Sequence, residues 1–162
     1  MPTADVSARP AVLGDEHAFA EIQLAAWRVS LGAEAVATVP SDEVRDTWGA
    51  AIESPPSRAH RVFAACDGPH VVGFAALAAG GEIVALEVAP EHRRAGHGSR
   101  LLAACVDTLR MTGTENIRAW ALRGDDAREA FLRQAGFAEG GVARTLETPT
   151  GEVTERMWQA HV

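Results

Sequence analysis

The segment HRRAGHGSRLL, residues 92–102, concentrates arginine, histidine and glycine in a chain whose formal net charge is -7. It stands between an apolar run typical of a strand and an apolar pattern typical of a helix. A helix N-terminus carries free N–H groups and a partial positive charge, so it attracts anions. Glycines let the backbone approach a ligand, and arginines offer forked donors that suit phosphate oxygens. The segment therefore predicts a cradle for a pyrophosphate group.

The elements that must position this segment can be read from the periodicity of the chain. The pattern predicts strands at 6–9, 61–66, 71–79, 82–88 and 116–122, and a final hairpin of 142–148 and 152–160. It predicts helices after Asp15 and from Pro40, a helix to about Met111 and a short helix to Gly136. Strands 61–88 should form an antiparallel meander. Strand 116–122 should run parallel to 82–88 through a right-handed crossover, because a loop and a helix separate them. The expected fold class is α/β, a mixed and mostly antiparallel central sheet flanked by helices.

Length and composition exclude several classes of protein. A chain of 162 residues predicts a single domain over 1–162. It has no apolar run long enough for a membrane span and no signal-peptide pattern, so we expect a cytoplasmic protein that does not bind membranes. The two cysteines and six histidines show no metal-ligand spacing, and no metal is expected. The acidic balance argues against nucleic-acid binding, although a nucleotide or nucleic acid held by residues 92–100 stays open as an alternative.

The loop motif can be compared with the known phosphate-binding signatures. It lacks the third glycine of a Rossmann fingerprint and the Gly-Lys pair of a P-loop. Residues 93–98, RRAGHG, fit R-x-x-G-x-G, and they resemble the acetyl-CoA signature of the GNAT superfamily of N-acetyltransferases. The likeness continues through ALEVAPEHRRAGHGSRLL and again in DDAREAFLRQAGF. It covers nearly the whole chain and is strongest from Val71 to Phe137.

The resemblance implies a GNAT acyl-CoA N-acyltransferase-like fold and an enzyme that transfers an acetyl group. Its cosubstrate would be acetyl-CoA, and the acetyl group would pass to a primary amine of a small molecule or peptide by direct attack in a ternary complex. Backbone groups of Leu86 and Val88 would pair with the pantetheine arm, and the Val88 N–H would polarise the thioester carbonyl. The other residues that it assigns to the cofactor are Arg93, Arg94, Ala95, Gly96, His97, Gly98, Ser99, Asp125, Arg128 and Phe131. Family members often dimerise, so a homodimer is a further expectation.

Acetyl transfer to an amine also needs a base, and two carboxylates on strand 82–88 are candidates. Glu82 opens the strand, and Glu87 adjoins the proposed oxyanion donor. Odd spacing places them on opposite faces of a regular strand, unless a bulge intervenes, so only one should reach a given pocket. Glu82 as a solvated turn residue, and Glu87 as a cleft residue that orients or selects a cationic amine, are the structural alternatives.

The family's usual acid is a tyrosine, and this chain contains none. The equivalent position holds Leu132, and the family's asparagine at the start of that helix is Asp125. These departures keep a second function open, a non-catalytic acyl-CoA-binding sensor. The acceptor pocket should come from the first two helices and the last hairpin. The candidates for its walls are Trp27, Arg28, Trp48 and Trp158, with ordinary core packing as the alternative for each tryptophan.

Overall fold

The computed structural model describes residues 6–162. Within that range the strands are β1 (Val6–Pro10), β2 (Arg61–Asp67), β3 (His70–Ala78), β4 (Glu82–Val88), β5 (Asn116–Leu122), β6 (Ala138–Thr148) and β7 (Gly151–His161). The helices in the same range are α1 (Glu16–Leu31), α2 (Ala33–Val36), α3 (Ser41–Glu53), α4 (His97–Thr112) and α5 (Asp126–Gln134). A 3₁₀ turn, Pro90–His92, joins β4 to the loop before α4. Of the helices described, none is both long and apolar enough to cross a membrane.

The seven described strands form one sheet in the order β1-β2-β3-β4-β5-β7-β6. Every neighbouring pair is antiparallel except β4 and β5, which confirms the predicted parallel crossover. The parallel pair is joined at one position, Glu82 opposite Arg118, whereas β5 pairs with β7 along its whole length. Because β4 and β5 are unpaired beyond this point, the sheet opens there into a gap.

The two faces of the sheet carry separate apolar layers. One layer packs α4 and Leu132 of α5 against the sheet, with Leu86 and Ile117 inside it. The other layer packs α1 against the opposite face, where Phe19 stacks on Phe74. The central strands β2, β3 and β4 are therefore covered on both faces, whereas β6 at the edge of the sheet is almost wholly exposed. This arrangement confirms the predicted α/β class.

A bulge in β4 decides which side chains share a face. Ala76 pairs with Ala85, but the next residue, Leu77, pairs with Ile83, so Val84 has no partner on β3. The extra residue advances the alternation by one step, and Ile83 and Leu86 both point into the α4 layer. Glu82 and Glu87 precede and follow these two residues, so both lie on the α1 face. The separation onto opposite faces that a regular strand would give does not occur here.

Two local features differ from the periodicity of the sequence. The single turn α2 was not expected, because four residues are too few to show a helical repeat. Strand β6 begins at Ala138, before the predicted Val142, and its pairing with β7 is interrupted between Glu139 and Ala143. Gly140 and Gly141 lie at that interruption, and because glycine is uncommon inside strands, the sequence did not predict a strand there.

Gly81, in the turn between β3 and β4, is expected to be indispensable for the spacing of β4 and β5. Its φ is 82°, and a Cβ built there would overlap the backbone carbonyl oxygen of Asn116, at the start of β5. Gly68, in the β2–β3 turn, has φ 58° and no atom near a built Cβ. We expect Gly68→Ala to lower the free energy of unfolding by about 1 kcal/mol and Gly81→Ala by about 2 kcal/mol more. Urea unfolding of both variants measures this difference, and equal losses would contradict it.

Candidate active site

The loop before α4 presents a row of backbone donors. Among residues 6–162, no hydrogen bond is made by the six N–H groups from Arg94 to Ser99. Gly96 caps α4 in the left-handed conformation, with φ 83°, and accepts the N–H of Arg100 through its carbonyl oxygen. Arg93 and Arg94 are exposed beside these donors. Free N–H groups at the positive end of a 16-residue helix, flanked by arginines, have the geometry that an anion site requires, and binding of a pyrophosphate there stays a prediction.

Two side chains support this loop from beneath. The Phe131 ring lies so close to Gly98 that a built Cβ would be 3.3 Å from it, so α5 packs directly on the first turn of α4. The His97 side chain is 2% exposed. Burial, helped by the charges of Arg100 and His92, lowers the pKa of His97, and Asp67 partly opposes this. His97 therefore faces the protein interior, and only its backbone N–H is available to an anion.

Arg128 spans the gap between β4 and β5. Its Nη1 donates to the Leu86 carbonyl oxygen at 2.7 Å, and its Nε donates to the Trp120 carbonyl oxygen at 2.9 Å. The same Nη1 lies 3.6 Å from Oε1 of Glu87. One guanidinium thus satisfies a backbone acceptor on each side of the gap and neutralises the adjacent carboxylate. Arg128 lines the candidate cleft, and its partners in the structure are backbone and carboxylate oxygens of the protein.

The backbone of Val88 faces the same gap. Ala89 donates its N–H to Val72 of β3 at 2.8 Å. Successive residues of a strand direct their backbone groups to opposite edges, so the N–H of Val88 points toward β5. The Leu86 carbonyl, two residues earlier, points the same way, as its bond to Arg128 shows. The N–H that the resemblance assigns to the oxyanion therefore lies on the open edge of β4.

Glu87 is the carboxylate with the more unusual environment. Its side chain is 23% exposed. Burial raises the pKa of Glu87 above the ordinary value, although the positive charges of Arg128 and Arg93 act in the opposite direction. The negative charge of Asp125 adds to the increase. A carboxylate with a raised pKa is a stronger base than an exposed one, and it adjoins the backbone N–H of Val88.

Glu82 occupies a different setting on the same face. Its Oε1 accepts a hydrogen bond from Nε1 of Trp120 at 2.8 Å and lies 4.0 Å from Arg144. The Arg144 guanidinium stacks 3.9 Å above the Trp120 ring and pairs with Glu155 at 3.0 Å. Glu82 is thus held in a network that fixes Trp120. Its contacts are those of a positioning residue rather than of a free base.

A cleft of about 120 Å³ lies between α1, the two splayed strands and the last hairpin. Trp27, a candidate for the acceptor pocket, lines it together with Glu87, Asp125 and Arg128. The other residues that line it are Gln23, Ser30, Ile83, Val84, Ala85, Trp120, Leu122, Arg144 and Glu155. Three carboxylates and two arginines therefore face the cavity. The last hairpin contributes Arg144 and Glu155, which the sequence did not single out, whereas its Trp158 is 2% exposed and packs in the core.

Arg28 and Trp48 do not line this cleft. Arg28 is exposed on α1. Trp48 packs edge-on against Phe74 and donates its Nε1 hydrogen to Gln23 Oε1 at 2.7 Å. Trp48 consequently matches its structural alternative, a core residue that fixes Gln23 on the cleft wall.

The helix α5 accounts for both departures from the family pattern. Leu132 is 0% exposed and belongs to the core layer on the α4 side. Asp125 caps the helix, because its side chain accepts the N–H of Arg128 at 3.2 Å. Leu132, which stands where the family has its tyrosine, thus packs in the core. Asp125, which stands where the family has its asparagine, holds the backbone of Arg128.

Neither cysteine offers a nucleophile. Burial raises the pKa of the Cys105 thiol to about 12, and Cys66 is buried as well. In a Cys66→Ser variant, which isolates Cys105, we expect a thiol reagent at pH 8 to react roughly three orders of magnitude more slowly with folded than with unfolded protein. The rate at which a chromogenic thiol reagent releases its coloured product, measured with folded and with unfolded protein, gives this ratio. Comparable rates in the two states would show that the thiol is accessible and ionisable.

Comparison with known proteins places this geometry in a family. The family model described as Acetyltransferase (GNAT) family matches residues 17–137. No curated protein matches the sequence. The solved structures that resemble it include a ribosomal-protein-alanine N-acetyltransferase from Brucella melitensis, with 23% identity, TM-score 0.76 and coverage of 96% of this chain and 99% of that one. An N-acetyltransferase from Staphylococcus aureus Mu50 has 18% identity, TM-score 0.75 and coverage of 97% and 98%.

A further resemblance concerns the cosubstrate. The protein yncA from Salmonella typhimurium, solved with its cofactor acetyl-CoA, has 20% identity, TM-score 0.72 and coverage of 98% of this chain and 94% of that one. These likenesses confirm the fold. The anion-binding loop, the open edge of β4 and the family match agree that acetyl-CoA is the cosubstrate. The chain belongs to the GNAT family of acetyltransferases.

Proposed function

We propose that this protein transfers the acetyl group of acetyl-CoA to a primary amine by direct attack within a ternary complex. The observation that carries the proposal is the position of Glu87. It is a partly buried carboxylate of raised pKa, one residue from the N–H of Val88 at the open edge of β4. A base and an oxyanion donor at adjacent positions are the two groups that amine acetylation requires. Residues 1–162 would act as one acetyltransferase domain.

The loop and the gap would hold the two ends of the cosubstrate. The six free N–H groups from Arg94 to Ser99, with Arg93, would bind the pyrophosphate. Leu86 and Val88 would pair with the pantetheine arm along the β4 edge. Because Arg128 bonds to the Leu86 carbonyl, its guanidinium would have to share or release that oxygen when the arm enters. Arg128 therefore acts as a movable partner of the β4 edge.

In the reaction, Glu87 would take a proton from the acceptor nitrogen, directly or through water. Acetyl-CoA supplies an activated thioester carbonyl, and the Val88 N–H would stabilise the negative charge that develops on its oxygen. A carbon–nitrogen bond forms, the carbon–sulfur bond breaks, and the electron pair leaves on the sulfur of coenzyme A. Leu132 is buried and no tyrosine exists in the chain, so water would protonate the departing thiolate.

The cleft supports a cationic acceptor. Its carboxylates Glu87, Asp125 and Glu155 outnumber its arginines, and Glu82 adds a further negative charge nearby. Such a cavity attracts an ammonium group, and Glu87 could then accept the proton that must be lost. A volume of about 120 Å³ fits the amine end of an acceptor, whatever larger group carries it.

The test is to titrate the purified chain with acetyl-CoA in a calorimeter and then to assay release of coenzyme A over a panel of primary amines. Each amine is paired with its N,N-dimethyl analogue, which keeps the positive charge but cannot form a stable amide. Release with the primary amine alone supports the proposal. Tight binding without amine-dependent release across the panel would instead establish the acyl-CoA sensor, which the missing tyrosine motivates. Binding of an oligonucleotide but not of acetyl-CoA would overturn both.

A further inference from the structure

Three side chains from different elements lie close together near the loop before α4. Asp67 ends β2, His92 ends the 3₁₀ turn, and His97 begins α4. One ligand atom from each lies within 4.8 Å of the others. The Asp67 Oδ2 to His92 Nδ1 distance is 3.9 Å. Two imidazoles and a carboxylate are a preferred ligand set for a divalent transition-metal ion such as zinc.

His97 supplies an independent reason to expect a ligand. Its side chain is 2% exposed, and its Nδ1 is buried without a hydrogen-bond partner among the described residues. A buried imidazole nitrogen without a partner costs free energy, and native proteins leave few such groups unsatisfied. A bond from His97 to a metal would fix its tautomer and ring orientation.

The dimensions of the cluster suit a zinc ion. Two atoms that each lie about 2.1 Å from zinc in a tetrahedral arrangement are about 3.4 Å apart. The distance of 3.9 Å between Asp67 and His92 is close to this value, and the other separations, which are no more than 4.8 Å, would shorten when an ion binds. His92 and Asp67 are 32% and 45% exposed, so an ion can enter from solvent and a water can complete the coordination.

We propose that Asp67, His92 and His97 form a binding site for a zinc-type divalent cation, separate from the acetyl-transfer chemistry. His92 and His97 flank the exposed residues 93–96, and Asp67 belongs to the neighbouring β2–β3 hairpin. A bound ion would therefore fasten both ends of this loop to the sheet. This proposal concerns metal binding and includes no chemical reaction. It does not depend on the identity of the acetyl acceptor.

The experiment uses the full chain, freed of metal by dialysis against a chelator, and zinc chloride as the titrant in a calorimeter. We expect one ion per chain. His92→Ala and Asp67→Asn should each weaken binding by at least about tenfold. His17→Ala is the matched control, because His17 also has a carboxylate neighbour, Glu16 at 3.8 Å, but belongs to no group of three possible ligands among the described residues. Its affinity for zinc should equal that of the unchanged protein.

Cobalt chloride provides a second readout that reports on the ligands themselves. A four-coordinate cobalt site with imidazole ligands absorbs visible light far more strongly than aqueous cobalt. That absorption should appear in the unchanged protein and the His17→Ala variant, and it should be lost in His97→Gln, whose folding is checked by circular dichroism. If His97→Gln does not fold, His92→Ala replaces it in the cobalt experiment, because His92 is partly exposed. Equal zinc affinity in His92→Ala and His17→Ala, or no zinc binding by the unchanged chain, would overturn the proposal.

Discussion

Glu87→Gln is expected to lower kcat at neutral pH by about 100-fold or more, the contribution typical of a lost general base. The amide keeps the size of the side chain but cannot accept the proton of the acceptor nitrogen. Glu82→Gln should cost no more than about fivefold, because an amide oxygen still accepts the hydrogen bond of Trp120. Glu139→Gln is the control for a lost ion pair away from the cleft, since Glu139 pairs with Arg156 at 3.1 Å. Steady-state assays compare the three variants.

The pH dependence separates a base from a residue that only attracts the amine. Glu87 must be ionised to act, so the rate should fall as the pH drops through its pKa, which burial holds above the ordinary value of 4.5. This acidic limb should disappear in Glu87→Gln, together with most of the rate. A retained limb, or an equal loss in Glu82→Gln, would contradict the assignment of Glu87.

The same raised pKa has a consequence for stability with a definite sign. The folded protein holds the proton on Glu87 more tightly than the unfolded chain does. The free energy of unfolding contributed by this group is therefore greatest at low pH, and it is lost as the pH rises from 4.5 through the raised pKa. Urea unfolding at several pH values should show that Glu87→Gln removes this part of the pH dependence.

Gly96→Asp is expected to weaken binding of coenzyme A by at least about thirtyfold, or about 2 kcal/mol. The new carboxylate would repel the pyrophosphate, and it would itself accept N–H groups at the start of α4. The capping bonds offset the cost of an aspartate at φ 83°, so the free energy of unfolding should stay within about 1 kcal/mol of the original. Calorimetry measures the affinity.

The opposite end of the same helix provides the control. Gly113 caps the C-terminus of α4 with φ 74°, and its built Cβ meets no atom. Gly113→Asp adds the same charge in a similar backbone conformation, but at the negative end of the helix. It should reduce stability and leave affinity for coenzyme A unchanged. If both variants bind coenzyme A as the unchanged protein does, the loop does not hold the phosphates.

Features coded by neighbouring residues were predictable from the sequence. The strand, the glycine-rich loop and the helix around residues 82–112 follow from local periodicity and turn chemistry, and their order led to the parallel crossover. The position of Asp125 and Asp126 before an amphipathic helix predicts that one of them caps it, and the structure shows that the cap is Asp125. The free N–H groups from Arg94 to Ser99 are a direct result of this local order.

Features that join distant parts of the chain were not predictable in this way. The bonds of Arg128 reach Leu86 across 42 positions, and the meeting of Asp67 with His97 depends on how the hairpin packs beside α4. The place of β7 between β5 and β6 likewise depends on pairing between strands rather than on any local pattern. Sequence spacing alone placed Glu82 and Glu87 on opposite faces, because an unpaired residue at Val84 leaves no local signature.

The unpaired Val84 makes the length of β4 variable at one position. It explains why Glu82 and Glu87 share the α1 face despite their odd spacing. Loss of Val84 would leave Ala85 and Ile83 opposite the successive residues Ala76 and Leu77, so the strand would become regular while Leu86 stays in the core and Glu87 in the cleft. The strand can therefore gain or lose one residue at this point without changing the lining of the acceptor pocket. When related sequences are aligned, the residue that matches Glu87 must be identified by the pairing of its strand and not by its count from Glu82.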